Sequence, residues 1–130
     1  MSGEKIKMEN DRERFKKEFK QRLYNWVLRL LRYLDSLPKD VIHGVMVKQL
    51  IRSGTSVLAN YIEAQSASSK RDFINFFTHS LKSANESKVW LTLLRDFKNR
   101  KDKELEWLTA ELQEIANILA SSILTMKGKK

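Results

Sequence analysis

Apolar residues in the first quarter of the chain recur at steps of three and four positions, which is typical of one face of an α-helix. The spacing predicts a helix over about residues 11–35. Its stripe consists of Phe15, Phe19, Leu23, Val27, Leu30 and Leu34. The helix should end before Pro38, because the residue preceding a proline is disfavoured in helical conformation, and Pro38 itself suits the first turn of a following helix. Residues 1–10 precede the stripe and are expected to be frayed or disordered.

Three further helices are predicted over about residues 41–64, 70–98 and 103–126, followed by a basic tail at 127–130. Ser68 or Ser69 suits the N-cap of the third helix, and the polar stretch 98–103 suits a turn. Apolar residues of the last helix follow a heptad-like spacing, namely Leu105, Leu108, Leu112, Ile115 and Leu119. Four long helices with short turns predict one all-α domain, an antiparallel up-down-up-down four-helix bundle.

The second predicted helix is unusually poor in charge. Only Lys48, Arg52 and Glu63 are charged among its 24 residues, whereas 32% of the whole chain is charged. A polar stripe of Arg52, Ser56, Asn60 and Glu63 lies opposite its apolar arc. On periodicity this stripe is a solvated face, but the low charge favours a polar strip buried against another subunit.

The third predicted helix carries aromatic residues on two sides. Phe73 and Phe77 share one face, whereas Trp90 belongs to a second face that Phe76 flanks. A helix that is apolar nearly all round is usually buried nearly all round, so the pattern favours a homo-oligomer. The candidate residues for a structural polar network or a subunit interface are Arg52, Ser56, Asn60, Glu63, Phe76, Ser83, Glu86 and Trp90.

The chain contains 25 basic and 16 acidic residues, a formal net charge of +9. In the predicted topology, the start of helix 1, the turn between helices 2 and 3, and the C-terminal tail share one end. Candidate nucleic-acid-binding residues there are Arg12, Lys16, Lys17, Lys20, Lys70, Arg71, Lys127, Lys129 and Lys130. A phosphate backbone is the favoured partner of such a basic end. A solvated basic surface is the main alternative, and an acidic protein or an anionic surface is a lesser one.

Aromatic residues also bear on nucleic-acid binding. Trp26, Trp90 and Trp107 are large enough to stack on bases, although aromatic residues at helical spacing more often belong to a core. No apolar run approaches the ~20 residues that span a bilayer, so no membrane partner is expected. The N-terminus has no apolar signal segment, which favours the cytoplasm.

Chemistry that would indicate an enzyme is scarce in the sequence. The chain has no cysteine, and His43 and His79 are its two histidines. Neither histidine follows a glutamate by three positions, as paired bundle metal sites require. Glu63 and Glu86 are inner-helix carboxylates without an accompanying nucleophile. We therefore expect no catalytic residues, no metal and no cofactor.

The middle of the chain resembles a known bacterial family. Residues 49–64 (QLIRSGTSVLANYIEA), 69–74 (SKRDFI) and 81–94 (LKSANESKVWLTLL), with the turn Leu37-Pro38-Lys39, carry the resemblance. They resemble the four-helix bundle proteins encoded within intervening sequences of large-subunit ribosomal RNA. The resemblance implies a left-handed up-down bundle that assembles into homopentamers.

The same resemblance extends to the accessory variability determinant protein of diversity-generating retroelements. It implies, for that relative, a basic pentameric barrel that binds nucleic acid and a reverse transcriptase. The sequence therefore predicts a non-enzymatic oligomer that binds RNA or DNA through a basic end, with little sequence specificity. The alternative is a protein–protein assembly or scaffold factor, such as a reverse-transcriptase accessory protein of a retroelement.

Overall fold

The computed structural model describes residues 3–128, and four α-helices account for nearly all of them. They are α1 (Gly3–Asp35), α2 (Val41–Gln65), α3 (Lys70–Phe97) and α4 (Lys103–Met126). Helices α1 and α3 each pack against both α2 and α4, whereas in the described range the diagonal pairs do not meet. Short turns between helices of this length give an antiparallel arrangement. The predicted all-α four-helix bundle is confirmed.

Helix α1 is longer than its apolar stripe. It begins at Gly3, whereas the sequence predicted a start near residue 11 and frayed residues before it. Residues 3–18 are all exposed, so burial against the bundle does not impose a pattern of apolar residues on this part of the sequence. The segment is nevertheless rich in Glu, Lys and Arg, which favour helix intrinsically, and it contains no proline. An apolar stripe therefore marks where a helix packs and not where it begins.

Side-chain caps fix the starts of the later helices. The Asp40 carboxylate accepts a 3.0 Å hydrogen bond from the backbone N–H of His43 at the start of α2. The Ser69 hydroxyl accepts a 3.1 Å bond from the N–H of Asp72 at the start of α3, which confirms one of the two predicted caps. Pro38 lies before the Asp40 cap and outside α2, contrary to the expectation that it occupies the first turn.

The core is formed by the inward stripes of all four helices. The five heptad-spaced residues of α4 are all buried, as predicted. Phe15 is a correction to the α1 stripe, because its side chain is 50% exposed. Trp26 belongs to the core instead, since it is fully buried and its indole N–H donates a 2.9 Å bond to the Leu108 carbonyl.

Small residues bring α2 and α3 together in the most extensive helix pairing of the bundle. Ser53, Ser80 and Ser87 are completely buried between these helices. The hydroxyl oxygens of Ser53 and Ser87 are 2.8 Å apart, and the Ser80 hydroxyl donates a 2.7 Å bond to the Val57 carbonyl. Each of these three serine hydroxyls thus has a hydrogen-bond partner, as burial requires.

Ion pairs join α1 to α4 along the other side of the bundle. The Arg22 guanidinium makes two 2.7 Å hydrogen bonds to the Glu111 carboxylate and one of 2.6 Å to Glu114. Arg29 forms a second bidentate pair with Glu104. Hydrogen bonding to Arg22, reinforced by its charge, lowers the pKa of Glu111 below its usual value. This seam therefore depends on charge, whereas the α2–α3 seam depends on close packing.

Candidate nucleic-acid interface

One end of the bundle collects the start of α1, the end of α2, the start of α3 and the end of α4. All four segments line a cleft of about 460 Å³ at this end. Its wall contains residues of all four helices, among them Arg12, Gln65, Phe73 and Met126. The fold therefore brings together the segments that the sequence assigned to a basic end.

The predicted cations are exposed around this end. Arg12, Lys16, Lys17 and Lys20 lie on α1, Lys70 and Arg71 in the first turn of α3, and Lys127 just after α4. The N-terminus of α3 adds the positive end of its helix dipole to Lys70 and Arg71. Lys129 and Lys130 lie outside the described residues.

Three of the four predicted cations on α1 make no ion pair within the described residues. Lys16 lies 3.4 Å from Glu13 in an exposed pair one turn away. Within residues 3–128, neither Arg12 nor Lys17 nor Lys20 makes an ion pair, since none of them approaches a carboxylate within 4.0 Å. Three unpaired cations within three turns of one helix produce a positive surface that attracts polyanions.

A groove of about 840 Å³ runs between α1 and α2 beside this cation row. Basic side chains of α1 form one wall, and Leu58, Tyr61 and Ile62 of α2 form the other with Tyr24 of α1. The groove was not predicted from the sequence. The sequence feature that could have indicated the groove is Tyr24, a large aromatic residue that lies outside the apolar stripe of its helix.

The predicted polar network divides into two clusters on the outer side of the α2–α3 seam. In the first cluster, Arg52 forms an ion pair with Glu86, and the Trp90 indole N–H donates a 3.0 Å bond to the same carboxylate. The hydrogen bond from Trp90, followed by that from Arg52, lowers the pKa of Glu86. Arg52 also donates a 2.9 Å bond to Gln49.

In the second cluster, the Asn60 amide donates a 2.8 Å bond to the Ser56 hydroxyl, which lies 2.8 Å from the Ser83 hydroxyl. Glu63 is exposed and joins neither cluster, and Phe76 is half-buried against the core. The network thus links α2 to α3 within one chain. The sequence missed its inner members, the fully buried serines of the seam, because serine is ambiguous between a wet surface and a tight helix contact.

An exposed apolar surface, the seam patch, lies along α2 and α3 toward the opposite end of the bundle. It consists of Ile42, Val45, Val89, Leu93 and Phe97, which are between 45% and 58% exposed. The rings of His43 and Phe97 are 6.0 Å apart, which shows that the start of α2 meets the end of α3 here. The patch explains why these two helices have more apolar positions than one core face needs.

The two histidines differ in their surroundings. His43 is buried, with its Nδ1 atom 2.8 Å from the Asp40 carboxylate and its Nε2 atom 2.9 Å from the Arg100 guanidinium. Because the Arg100 guanidinium can only donate, the Nε2 atom of His43 accepts this bond. His79 is exposed. In the described part of the chain, no three His, Asp or Glu side chains form a cluster that could hold a metal ion.

The three tryptophans are all engaged by other groups. Trp26 is buried in the core and Trp90 is bonded to Glu86. The Arg29 guanidinium lies 3.4 Å from the ring centroid of Trp107, a cation–π contact. The aromatic side chains that remain half-exposed near the basic end are Phe15 and Tyr24.

No helix among residues 3–128 is both long and apolar enough to cross a membrane.

Comparisons with known proteins agree with this architecture. No protein of curated function matches the chain. A similar solved structure is that of a protein of unknown function from the S23 ribosomal protein family of Bacteroides thetaiotaomicron. It is 35% identical with a TM-score of 0.72, and the match covers 81% of this chain and 97% of that one.

A family model supplies the more general assignment. The model of the 23S rRNA-intervening sequence protein matches residues 15–121, which include the packed part of α1 and nearly all of the other three helices. The matched region contains both the α2–α3 seam and most of the basic end. The chain therefore belongs to the 23S rRNA-intervening sequence protein family.

Proposed function

We propose that the protein is a non-enzymatic homo-oligomer that binds nucleic acid, RNA or DNA, through its basic end with little sequence specificity. The observation that carries the proposal is the row of exposed, unpaired cations formed by Arg12, Lys17 and Lys20. Such side chains can neutralise phosphates without first breaking an ion pair. The family name, which refers to 23S rRNA, supports an activity in the cytoplasm.

Little sequence specificity is expected because of how the cations are presented. Lysine and arginine side chains along the outside of one helix contact phosphates, and phosphate contacts position a protein without reading bases. In an oligomer, each copy would add its own basic end to a common surface. Affinity would then rise through multivalency without any new contact.

The salt dependence of binding tests the proposal. Fluorescence anisotropy should show binding of a labelled DNA duplex or RNA strand at ~50 mM salt, with the logarithm of the affinity falling linearly against the logarithm of salt concentration. Counterion release sets the slope at about −0.9 for each duplex phosphate that is neutralised. The double variant Lys17→Gln/Lys20→Gln should bind more weakly and with a shallower slope.

A variant with the same loss of charge at the other end provides the control. Lys101 and Lys103 are exposed, beside the α3–α4 turn, and Lys101→Gln/Lys103→Gln should bind nearly as the wild type. Arg100 is unsuitable for this purpose because it bonds to the buried His43. The proposal fails if neither nucleic acid binds at ~50 mM salt, or if the control variant weakens binding as much as the test variant.

Self-association is proposed through the seam patch, and the homopentamer implied by the resemblance is the expected assembly. An exposed apolar surface of this kind marks a protein–protein contact. The same patch also favours the second candidate function, a scaffold for a different protein such as a reverse transcriptase. The two are distinguished by the purified protein alone, because a scaffold for another protein needs no self-association.

A further inference from the structure

The α1–α2 groove and the end cleft adjoin one another and together form one path over α1. Lys16, Tyr61 and Gln65 line both of them. From this junction the groove extends along α1 toward Tyr24, and the cleft extends between the helix ends toward Phe73. At the junction the Tyr61 hydroxyl lies 3.4 Å from the Lys16 carbonyl, so the path passes over this contact from one side of α1 to the other.

Cations and aromatic rings both line this path, beside the acidic Asp11 and Glu13. Arg12 and Lys16 border the cleft, whose wall contains Phe15, and Lys17 and Lys20 border the groove beyond it. Phe15 and Tyr24 are 50% and 51% exposed, which is high for aromatic residues. Nine positions separate them, which places them ~13 Å apart along the helix and on opposite sides of it. A strand that contacts both rings must therefore bend around α1, as a flexible single strand can.

The rings lie where a base could stack on them. Phe15 is parallel to Phe19, with the ring centroids 5.8 Å apart, so its orientation is fixed by the core below. Phe73 and Phe77 form a second stacked pair in the cleft, with centroids 4.9 Å apart. Half-exposed aromatic rings beside a cation row are the combination that binds single strands, since rings stack on bases while cations follow the phosphates.

We infer that this path binds single-stranded nucleic acid in preference to duplex, with unpaired bases stacking on Phe15 and Tyr24. The inference rests on the proposed function and specifies its ligand. A duplex presents phosphates to the cations, but its base faces are stacked inside the helix and cannot reach the rings. The aromatic contribution is therefore available only to an unpaired strand.

The test compares one RNA of about 12 nucleotides, of mixed and non-self-complementary sequence, with the duplex it forms with its complement. Fluorescence anisotropy of both probes is measured for the wild type, Phe15→Leu, Tyr24→Leu and Tyr24→Phe. The single strand should bind more tightly than the duplex. Each leucine variant should lose about fivefold or more in affinity for the single strand, the lower end of the range for one base–aromatic stack, and should bind duplex unchanged.

Tyr24→Phe is the matched control, because it keeps the ring and should retain wild-type affinity for the single strand. Circular dichroism melts check that the variants fold. If Phe15→Leu does not fold, the Tyr24 variants alone test the inference. Equal affinity for the two probes, or leucine variants that bind the single strand as the wild type does, would overturn the inference and leave the proposed function standing. Absence of binding to both RNA probes and to the labelled DNA duplex at ~50 mM salt would overturn the proposed function itself.

Discussion

The hydroxyl oxygens of Ser53 and Ser87 lie 2.8 Å apart at the centre of the α2–α3 seam, where both residues are fully buried. The Ser87 hydroxyl is also 2.9 Å from the Ser83 carbonyl of its own helix. A larger residue at either position would separate the helices, and an apolar residue at one position would leave the other hydroxyl without its partner across the seam. The pair therefore fixes both the distance and the register between α2 and α3.

The serine pair gives the first prediction. Ser53→Ala and Ser87→Ala should each lower the free energy of unfolding by about 1 kcal/mol, because each leaves a buried hydroxyl without its interhelical partner. The double variant should cost less than the sum of the two, since removal of both partners can be nearly neutral. Denaturant unfolding of the four proteins measures this coupling. Strictly additive losses would show that the two hydroxyls do not interact.

Gly54 and Gly44 form a matched pair on α2. A Cβ atom at Gly54 would lie 2.5 Å from Cδ2 of the buried Leu30 and 3.4 Å from the Trp26 ring, whereas one at Gly44 would meet nothing within 4 Å. Gly44→Ala should stabilise the protein by about 0.5–1 kcal/mol through helix propensity alone. Gly54→Ala should destabilise it despite the same propensity gain, because overpacking costs ~1–3 kcal/mol. Thermal melts compare the two variants. A stabilised Gly54→Ala variant would contradict the prediction and show that α1 shifts away from α2 at little cost.

The fold was predictable because its signals are local. Stripes at steps of three and four, one proline, and a serine or aspartate before each later helix determine four helices and three turns. The exceptions are equally physical. Phe15 continues the α1 stripe but lies where the cleft opens, whereas Trp26 lies on the stripe between Leu23 and Leu30 and is buried in the core. Periodicity identifies a face of a helix but not where along that face the packing ends.

The candidate site was predictable in its charge but not in its shape. The lysines and arginines of one end follow from the order of the helices, so the sequence alone assigns them. The groove beside Tyr24 depends on how far α1 stands from α2, which a single sequence does not encode locally. The same is true of His43, whose bond to Arg100 joins residues that are distant in the chain. Contacts of this kind arise only when the helices pack together.

The Arg22–Glu111 pair predicts a dependence of stability on pH. Because Arg22 lowers the pKa of folded Glu111, the pair stabilises the protein above the unfolded-state pKa of ~4.3. That stabilisation is lost as the pH falls through the lowered pKa. Glu111→Gln should therefore reduce stability near neutral pH and flatten the decline below about pH 4.3.

Denaturant titrations across the acid range provide the measurement for this pair. Glu63→Gln is the control, since Glu63 is exposed and makes no ion pair in the described part of the chain. It should leave the decline at acid pH as steep as in the wild type. An equally steep decline in Glu111→Gln would assign the acid sensitivity to other carboxylates.

The seam patch predicts the oligomeric state. Light scattering at micromolar concentration should give the wild type a mass several times the 15.3 kDa of one chain. Leu93→Lys should lower that mass toward 15.3 kDa with little change in helix content, because Leu93 is 48% exposed in the single chain and a lysine there meets solvent. In the assembly the same lysine would be buried against an apolar surface without a partner, which is costly.

Asn85→Lys introduces the same side chain at an exposed position of the same helix, outside the seam patch, and should leave the assembly intact. A wild type that is monomeric at every concentration would remove self-association from the proposed function and favour a scaffold that binds a different protein. If Leu93→Lys keeps the wild-type mass and Asn85→Lys dissociates, the interface lies on the outer face of α3 and not on the seam patch. Retention of the mass by both variants would place the interface on another pair of helices.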